Sequence, residues 1–151
     1  MLEIERKFLI VETLWDKQVK NGYAEITQGY VLNSIEKSVR IRINDDRAFL
    51  TIKGPTKGIS RAEYEYEIPK IEGEEMILSL SLKVLKKRRY EILFEGKVWE
   101  VDVFKNELEG LILAEIELES EDEKIILPNW VGEEVSYDAQ YYNTNLINRL
   151  S

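Results

Sequence analysis

At 151 residues the chain is long enough to bury one substantial core and too short for two, so one globular unit spanning 1–151 is expected. With no cysteine and no histidine, disulfides, thiolate or imidazole metal ligands and Ser-His-Asp chemistry are excluded; any catalysis must run on carboxylates, Lys, Arg and hydroxyls, and any metal would be a hard cation such as Mg²⁺, Mn²⁺ or Ca²⁺. A formal charge of −8 argues against nucleic-acid or anionic-membrane binding, and the lack of an apolar run near the roughly 18 residues a span needs, or of a signal-peptide start, predicts a cytoplasmic protein.

The first ten residues alternate as a β-strand, with Glu3, Glu5 and Lys7 on one face and Leu2, Ile4, Phe8 and Ile10 on the other. Thr13 to Asp16 has the form of a capping box, with Asp in place of Glu, and predicts a short helix ended by Asn21 and Gly22. Strands are expected at 26–32, at 38–44, and at 48–53, the last two joined by a turn at 44–47. Residues 54–58 read as a loop, 61–68 as another strand closed by Pro69, and 74–85 as a helix through Met76, Ile77, Leu80 and Leu85. A meander follows, 87–94, 97–104 and 111–119, with turns at Glu95-Gly96 and near Glu109-Gly110. Ser136 is placed to cap a final helix reaching Leu150. About eight antiparallel strands are thus predicted, a number at which a sheet closes into a barrel. The expected class is α+β: an eight-stranded antiparallel closed β-barrel with helices packed on the outside.

Residues two apart share a face of a strand, and the charges sort by strand. Arg40 and Arg42 fall together, as do Thr51 and Lys53, Glu63, Glu65 and Glu67, Lys87, Arg89 and Glu91, Glu100 and Asp102, and Glu115, Glu117 and Glu119. The opposite faces are largely apolar. A wet outer face is the ordinary explanation for any one such strand. Like charges ~6.6 Å apart repel by about 2.5 kcal/mol at an effective dielectric near 20 and by only about 0.6 kcal/mol in water. Energy alone therefore does not choose between an open face and a lumen; repetition across the strands favours a lumen. Inside a barrel the acids would need cations and the bases a polyanion, so the ligand expected is a metal-bound polyphosphate. No Gly-x-x-x-x-Gly-Lys-Ser/Thr loop or kinase signature is present.

Taken in order, Glu3 to Lys7 with its Glu-x-Glu-x-Lys spacing, Gln28 to Tyr30, Val39 to Arg42, Thr51 to Gly54, Glu63 to Glu65, Lys87 to Tyr90, Glu100 to Asp102, Ala114 to Glu117 and a tail from Trp130 to Val135 with Asp138, Tyr142 and Asn143 resemble the CYTH domain proteins, also called triphosphate tunnel metalloenzymes. The resemblance spans nearly the whole chain. It implies an eight-stranded tunnel and hydrolysis of a triphosphate with one or two Mg²⁺ or Mn²⁺ ions. By position, Glu3, Glu5, Glu115 and Glu117 resemble metal ligands, with Glu63, Glu65 and Asp102 as further ligands or water-orienting groups. Lys7, Arg40, Arg42, Lys53, Lys87 and Arg89 resemble a phosphate clamp. Glu5, Lys7, Glu63, Lys87 and Glu117 are the residues the resemblance implies for catalysis. Gln140 departs from the family, whose members often have a basic residue there.

Inorganic triphosphate is the substrate expected first, since the compact chain carries no obvious insert for recognising a base; thiamine or nucleoside triphosphates are the alternatives, and a cyclase is the least expected. A module that binds polyphosphate or nucleotide without turnover is a further alternative, against which the two acidic pairs argue. The clustered acids are expected to raise one another's pKa without metal. Trp15, Trp99 and Trp130 are expected in the core rather than as base-stacking platforms. The partner is a small-molecule triphosphate, and the outer apolar faces would suit a homodimer.

Overall fold

The computed structural model describes residues 1–80 and 82–150. Eight strands form one closed antiparallel sheet: β1 (Leu2–Ile10), β2 (Ala24–Asn33), β3 (Ser38–Asn44), β4 (Arg47–Lys53), β5 (Ser60–Ile68), β6 (Val84–Phe94), β7 (Lys97–Phe104) and β8 (Ile112–Glu117). They run in the order β5-β4-β3-β2-β6-β7-β8-β1, and β1 returns to β5 to complete the circle. The expected barrel is therefore present. Its β6–β7 hairpin turns through Glu95 and Gly96 at φ 50° and 76°, the pair of positive values a type I′ turn demands.

β1 is paired along one edge with β8, from Glu5 opposite Glu117 to Leu9 opposite Leu113. Its other edge is divided. Leu2, Glu3 and Ile4 face Ala62, Arg61 and Ser60 of β5, while Phe8 and Ile10 face Glu134 and Val131 of a ninth strand, β9 (Val131–Glu134).

Two apolar clusters hold this barrel, one outside and one at an end. Outside, Ile4 and Phe8 of β1, Trp99 and Val101 of β7, and Ile116 of β8 pack with Trp15 and Trp130. All three tryptophans are buried, with ring centroids 5.1 Å apart for Trp15 and Trp130 and 5.9 Å for Trp99 and Trp130. At the end of the lumen, Leu9, Leu85, Phe104 and Leu113 continue the inward faces of Lys7, Lys87, Asp102 and Glu115. They pack with Leu146 and Ile147 from the C-terminal segment. Apolar side chains thus fill one end of the barrel, and its charged residues occupy the remainder.

The helices differ most from expectation. The first, α1 (Glu12–Trp15), is a single turn with no side-chain cap, so Thr13 does not open it. The helix expected at 74–85 is α2 (Lys70–Ser79), which starts directly after Pro69, where a fixed φ favours helix entry. Val84 and Leu85 belong instead to β6, whose branched and aromatic residues prefer the pleat; Ser81 of the expected helix lies outside the described residues. α2 seats on the barrel through Gly73, where an added Cβ would stand 2.9 Å from that of Ala48. The long final helix is replaced by α3 (Asn143–Leu146) between two 3₁₀ turns, Ala139–Tyr141 and Ile147–Arg149. Ser136 caps nothing: its hydroxyl accepts from the Lys7 backbone N–H at 2.9 Å and donates to Glu134 at 2.6 Å. Leu146 and Ile147 are nevertheless buried anchors, as their spacing suggested. Among the described residues no helix is long and apolar enough to cross a membrane.

Candidate active site

Alternation puts the charged face of every strand named above inside the barrel, around a cavity of about 220 Å³. Its lining includes Glu3, Glu5 and Lys7 from β1, Arg40 and Arg42 from β3, Lys53 from β4, Glu63 and Glu65 from β5, Arg89 from β6, and Glu115 and Glu117 from β8. Two of the sequence-derived residues stand behind this wall. Lys87 and Asp102 are both fully buried and joined by a 2.6 Å contact.

Most of these acids meet a cation from another strand. Lys53 donates to both oxygens of Glu3, at 3.0 and 3.2 Å, and lies 3.1 Å from Glu63. Lys7 sits 3.5 Å from Glu115 and donates to the Tyr141 carbonyl at 3.1 Å. Arg89 grips Asp102 through two bonds of 2.8 and 2.9 Å and reaches Glu100 at 2.9 Å. Arg40 lies 3.6 Å from Glu65, with Thr51 bridging the two.

These contacts split the acids into two groups. Burial opposes ionisation of Glu3, but Lys53, a hydrogen bond with Glu63, and Arg61 outweigh it and hold the carboxyl at about 2. Burial is likewise outweighed at Glu115, chiefly by Lys7, and its carboxyl also sits at about 2. Asp102 is held below the usual carboxylate range by Arg89 and Lys87 despite burial, while burial draws the Lys87 ammonium down. Glu5 behaves oppositely: burial first, then Glu115 and Glu3, push it up to about 8. Mutual elevation of all the clustered acids is thus not what the structure shows. Glu5 takes most of it, with Glu63 and Glu100 raised chiefly by burial.

A pH dependence follows from Glu5. Unfolded, it releases its proton near the ordinary glutamate value of 4.5; folded, it keeps it to about pH 8. Between those limits the native state holds the extra proton, so stability from this group falls as pH rises. Glu5→Gln is expected to melt several degrees above wild type in EDTA at about pH 8 and to match it at about pH 4. Thermal melts at the two pH values check this, and equal melting at the higher pH would show that Glu5 ionises freely.

The donor set is hard oxygen, and an acid forced to keep its proton beside two ionised neighbours is one that a cation would relieve. Glu3, Glu5, Glu115 and Glu117 therefore fit a divalent ion chemically. Among the described residues no three carboxylates converge on one metal position, since Lys53 and Lys7 draw Glu3 and Glu115 aside. Glu117, opposite Glu5 in the β1–β8 ladder, is exposed and makes no ion pair among the described residues.

Sequence reasoning overlooked several lining residues. Arg61 shares the face of Glu63 and contacts Glu3 at 3.4 Å; it was already the first residue of the expected strand, and alternation alone places it on that face. Glu100 lines the cavity although only Asp102 was assigned a role from that strand. Thr56, Gly58 and Ile59 enter from a loop, and Ser136, Tyr142 and Asn143 from the C-terminal segment. No local pattern marks those.

Comparison with known proteins agrees with this geometry. The CYTH domain family model matches residues 1–151. A protein named inorganic triphosphatase from Acetivibrio thermocellus is 45% identical over 146 residues, covering 96% of this chain and 92% of the relative. Another of that name from Nitrosomonas europaea is 36% identical over 150 residues, covering 97% of each. A crystal structure of an inorganic triphosphatase superposes with a TM-score of 0.65 at 32% identity, covering 96% of this chain and 93% of the other.

Proposed function

Because this chain belongs to the CYTH domain family, we propose that it is an inorganic triphosphatase of the cytoplasm, a divalent-metal-dependent hydrolase that splits triphosphate and water into diphosphate and phosphate. The observation that carries this reading is the sorted lumen: acids from β1 and β8 line it together with cations from β3, β4 and β6. Its volume of about 220 Å³ falls below the roughly 300–1,000 Å³ of pockets that engulf drug-sized ligands. That supports a small inorganic anion over a nucleotide or thiamine ester.

Glu3, Glu5, Glu115 and Glu117 would hold Mg²⁺ or Mn²⁺, with Glu63 and Glu65 at the rim. Such an ion, when bound, supplies Lewis-acid polarisation of the phosphate oxygens and acidifies water. The protein's share is positioning and charge. Lys7, Arg40, Arg42, Lys53 and Arg89 bind the phosphate oxygens, and Lys87 steadies them from behind through Asp102 and Arg89. Glu117, which makes no ion pair among the described residues, accepts a proton as water attacks a terminal phosphorus. The bond from that phosphorus to the bridging oxygen breaks, and the clamp carries the charge gained by the diphosphate.

Phosphate release from inorganic triphosphate, ATP and thiamine triphosphate, each with Mg²⁺, Mn²⁺ or EDTA, tests the reading. Inorganic triphosphate is expected to lead in kcat/KM by about tenfold or more, a margin a few lost contacts produce, with no release in EDTA. Metal-independent release, or ATP in the lead, would overturn it. Triphosphate that raises the melting temperature without being cut would show a binding module instead.

A further inference from the structure

One cation of the lumen differs from the others. Lys7, Arg40, Lys53, Arg61, Lys87 and Arg89 each have a carboxylate within 3.6 Å. Arg42 has none among the described residues. Burial, then repulsion from Arg40 and Arg89, pull its guanidinium down to about 9. Its hydrogen bond is instead to a neutral group, from Nε to the Gln28 side-chain oxygen at 3.0 Å.

Gln28 stands directly opposite Arg42 in the β2–β3 ladder and opposite Leu85 in the β2–β6 ladder, and it is wholly buried. Among the described residues its Nε2 has no hydrogen-bond partner, nor has Nε of Arg40 across the same pair of strands. Buried donors without acceptors are costly and uncommon in folded proteins. Gln28 thus spends its oxygen on Arg42 and leaves its own amide donor unsatisfied, while Arg42 itself reaches the cavity with no carboxylate in contact among the described residues.

We propose that Gln28 is a positioning residue: from behind the cavity wall it holds the Arg42 guanidinium ready for one phosphoryl group. This rests on the triphosphatase reading. An amide oxygen at Nε fixes the plane of the guanidinium while leaving its charge and its Nη edge for a bidentate contact to phosphate. A carboxylate in the same place would hold Arg42 equally well and neutralise it. The choice of Gln over Glu at this position is therefore a choice of affinity over internal pairing.

The test separates those two roles. Gln28→Glu and Gln28→Leu are made in a Glu117→Gln parent that binds without turnover, and calorimetry with Mg²⁺ reads the affinity for inorganic triphosphate beside the melting temperature of each ligand-free protein. The Glu variant, whose Arg42 is paired, is expected to melt at or above the Leu variant yet bind about tenfold or more weaker than the parent. The Leu variant leaves Arg42 charged but loosely held and should lose only about threefold. Opposite orders in melting and affinity support the proposal. Affinity that follows melting, as a merely structural Gln28 requires, overturns it, and so does a Glu variant that binds like the parent. Failure of the hydrolase reading shows separately, as wild-type protein that binds triphosphate and releases no phosphate.

Discussion

Glu117→Gln is expected to lower kcat for inorganic triphosphate by about three orders of magnitude, at the upper end of what losing one transition-state group costs, while the melting temperature stays at the wild-type value. The two halves of that result have separate causes. Glu117 lines the cavity opposite Glu5, and in the proposed mechanism its carboxylate serves both a divalent ion and the attacking water. It carries no ion pair among the described residues and is exposed, so an isosteric amide removes nothing from the fold. KM should change far less than kcat, because the phosphate clamp is untouched. Steady-state phosphate release with Mg²⁺ measures both constants. A variant within tenfold of wild type in kcat would move the water-activating role to Glu63, the remaining rim carboxylate near Glu3.

Asp102→Ala should fail in the opposite manner, through the fold first. Asp102 receives Lys87 at 2.6 Å and Arg89 at 2.8 and 2.9 Å, and it and Lys87 are wholly buried. Removing one partner of a buried ion pair leaves the other charge uncompensated, a loss of about 3–5 kcal/mol. For a domain of this size that is a drop on the order of ten degrees in melting temperature. Urea denaturation at neutral pH measures it, and a loss under about 1 kcal/mol would mean that Lys87 sheds its proton without penalty. The pH dependence has a definite sign. Asp102 ionises below its ordinary range, so its contribution is complete above that range and disappears as pH falls toward the depressed native value. The gap between variant and wild type should therefore narrow in acid.

Much of this architecture could be read from the chain because period two is a strong signal. Glu3, Glu5 and Lys7, or Arg40 and Arg42, could share a face only on a strand, and their cross-strand partners lie in the ladders that alternation requires. Arg61 was legible too, since it opens the expected strand at 61–68 on the face of Glu63, but as a cation beside three acids it was not counted with them. The fates of the acids were not legible. Glu3 and Glu5 are chemically identical and two residues apart, yet one is held at about 2 and the other driven to about 8. The difference lies in which lysine from a distant strand reaches which oxygen. The C-terminal segment was hidden for a similar reason. Ser136 looks like a helix cap in sequence, but β1 claims its hydroxyl through the Lys7 backbone. Asn143, Thr144 and Asn145, weak helix formers all, then keep α3 to one turn.

The ladder that sets residue 5 against residue 117 also governs when the protein can begin to work. β1 cannot be paired on that edge until β8, seven strands further along the chain, has left the ribosome, so the circle is completed late and across a large loop, an entropic cost that slows folding. Until then Glu3 and Glu5 belong to a loose thread, far from the Glu115 and Glu117 they will face. No shorter piece of the chain brings the four together. A nascent or truncated product ending before β8 would thus lack half of the acids that fit a metal, and the cell would acquire the activity in a single late step rather than by degrees.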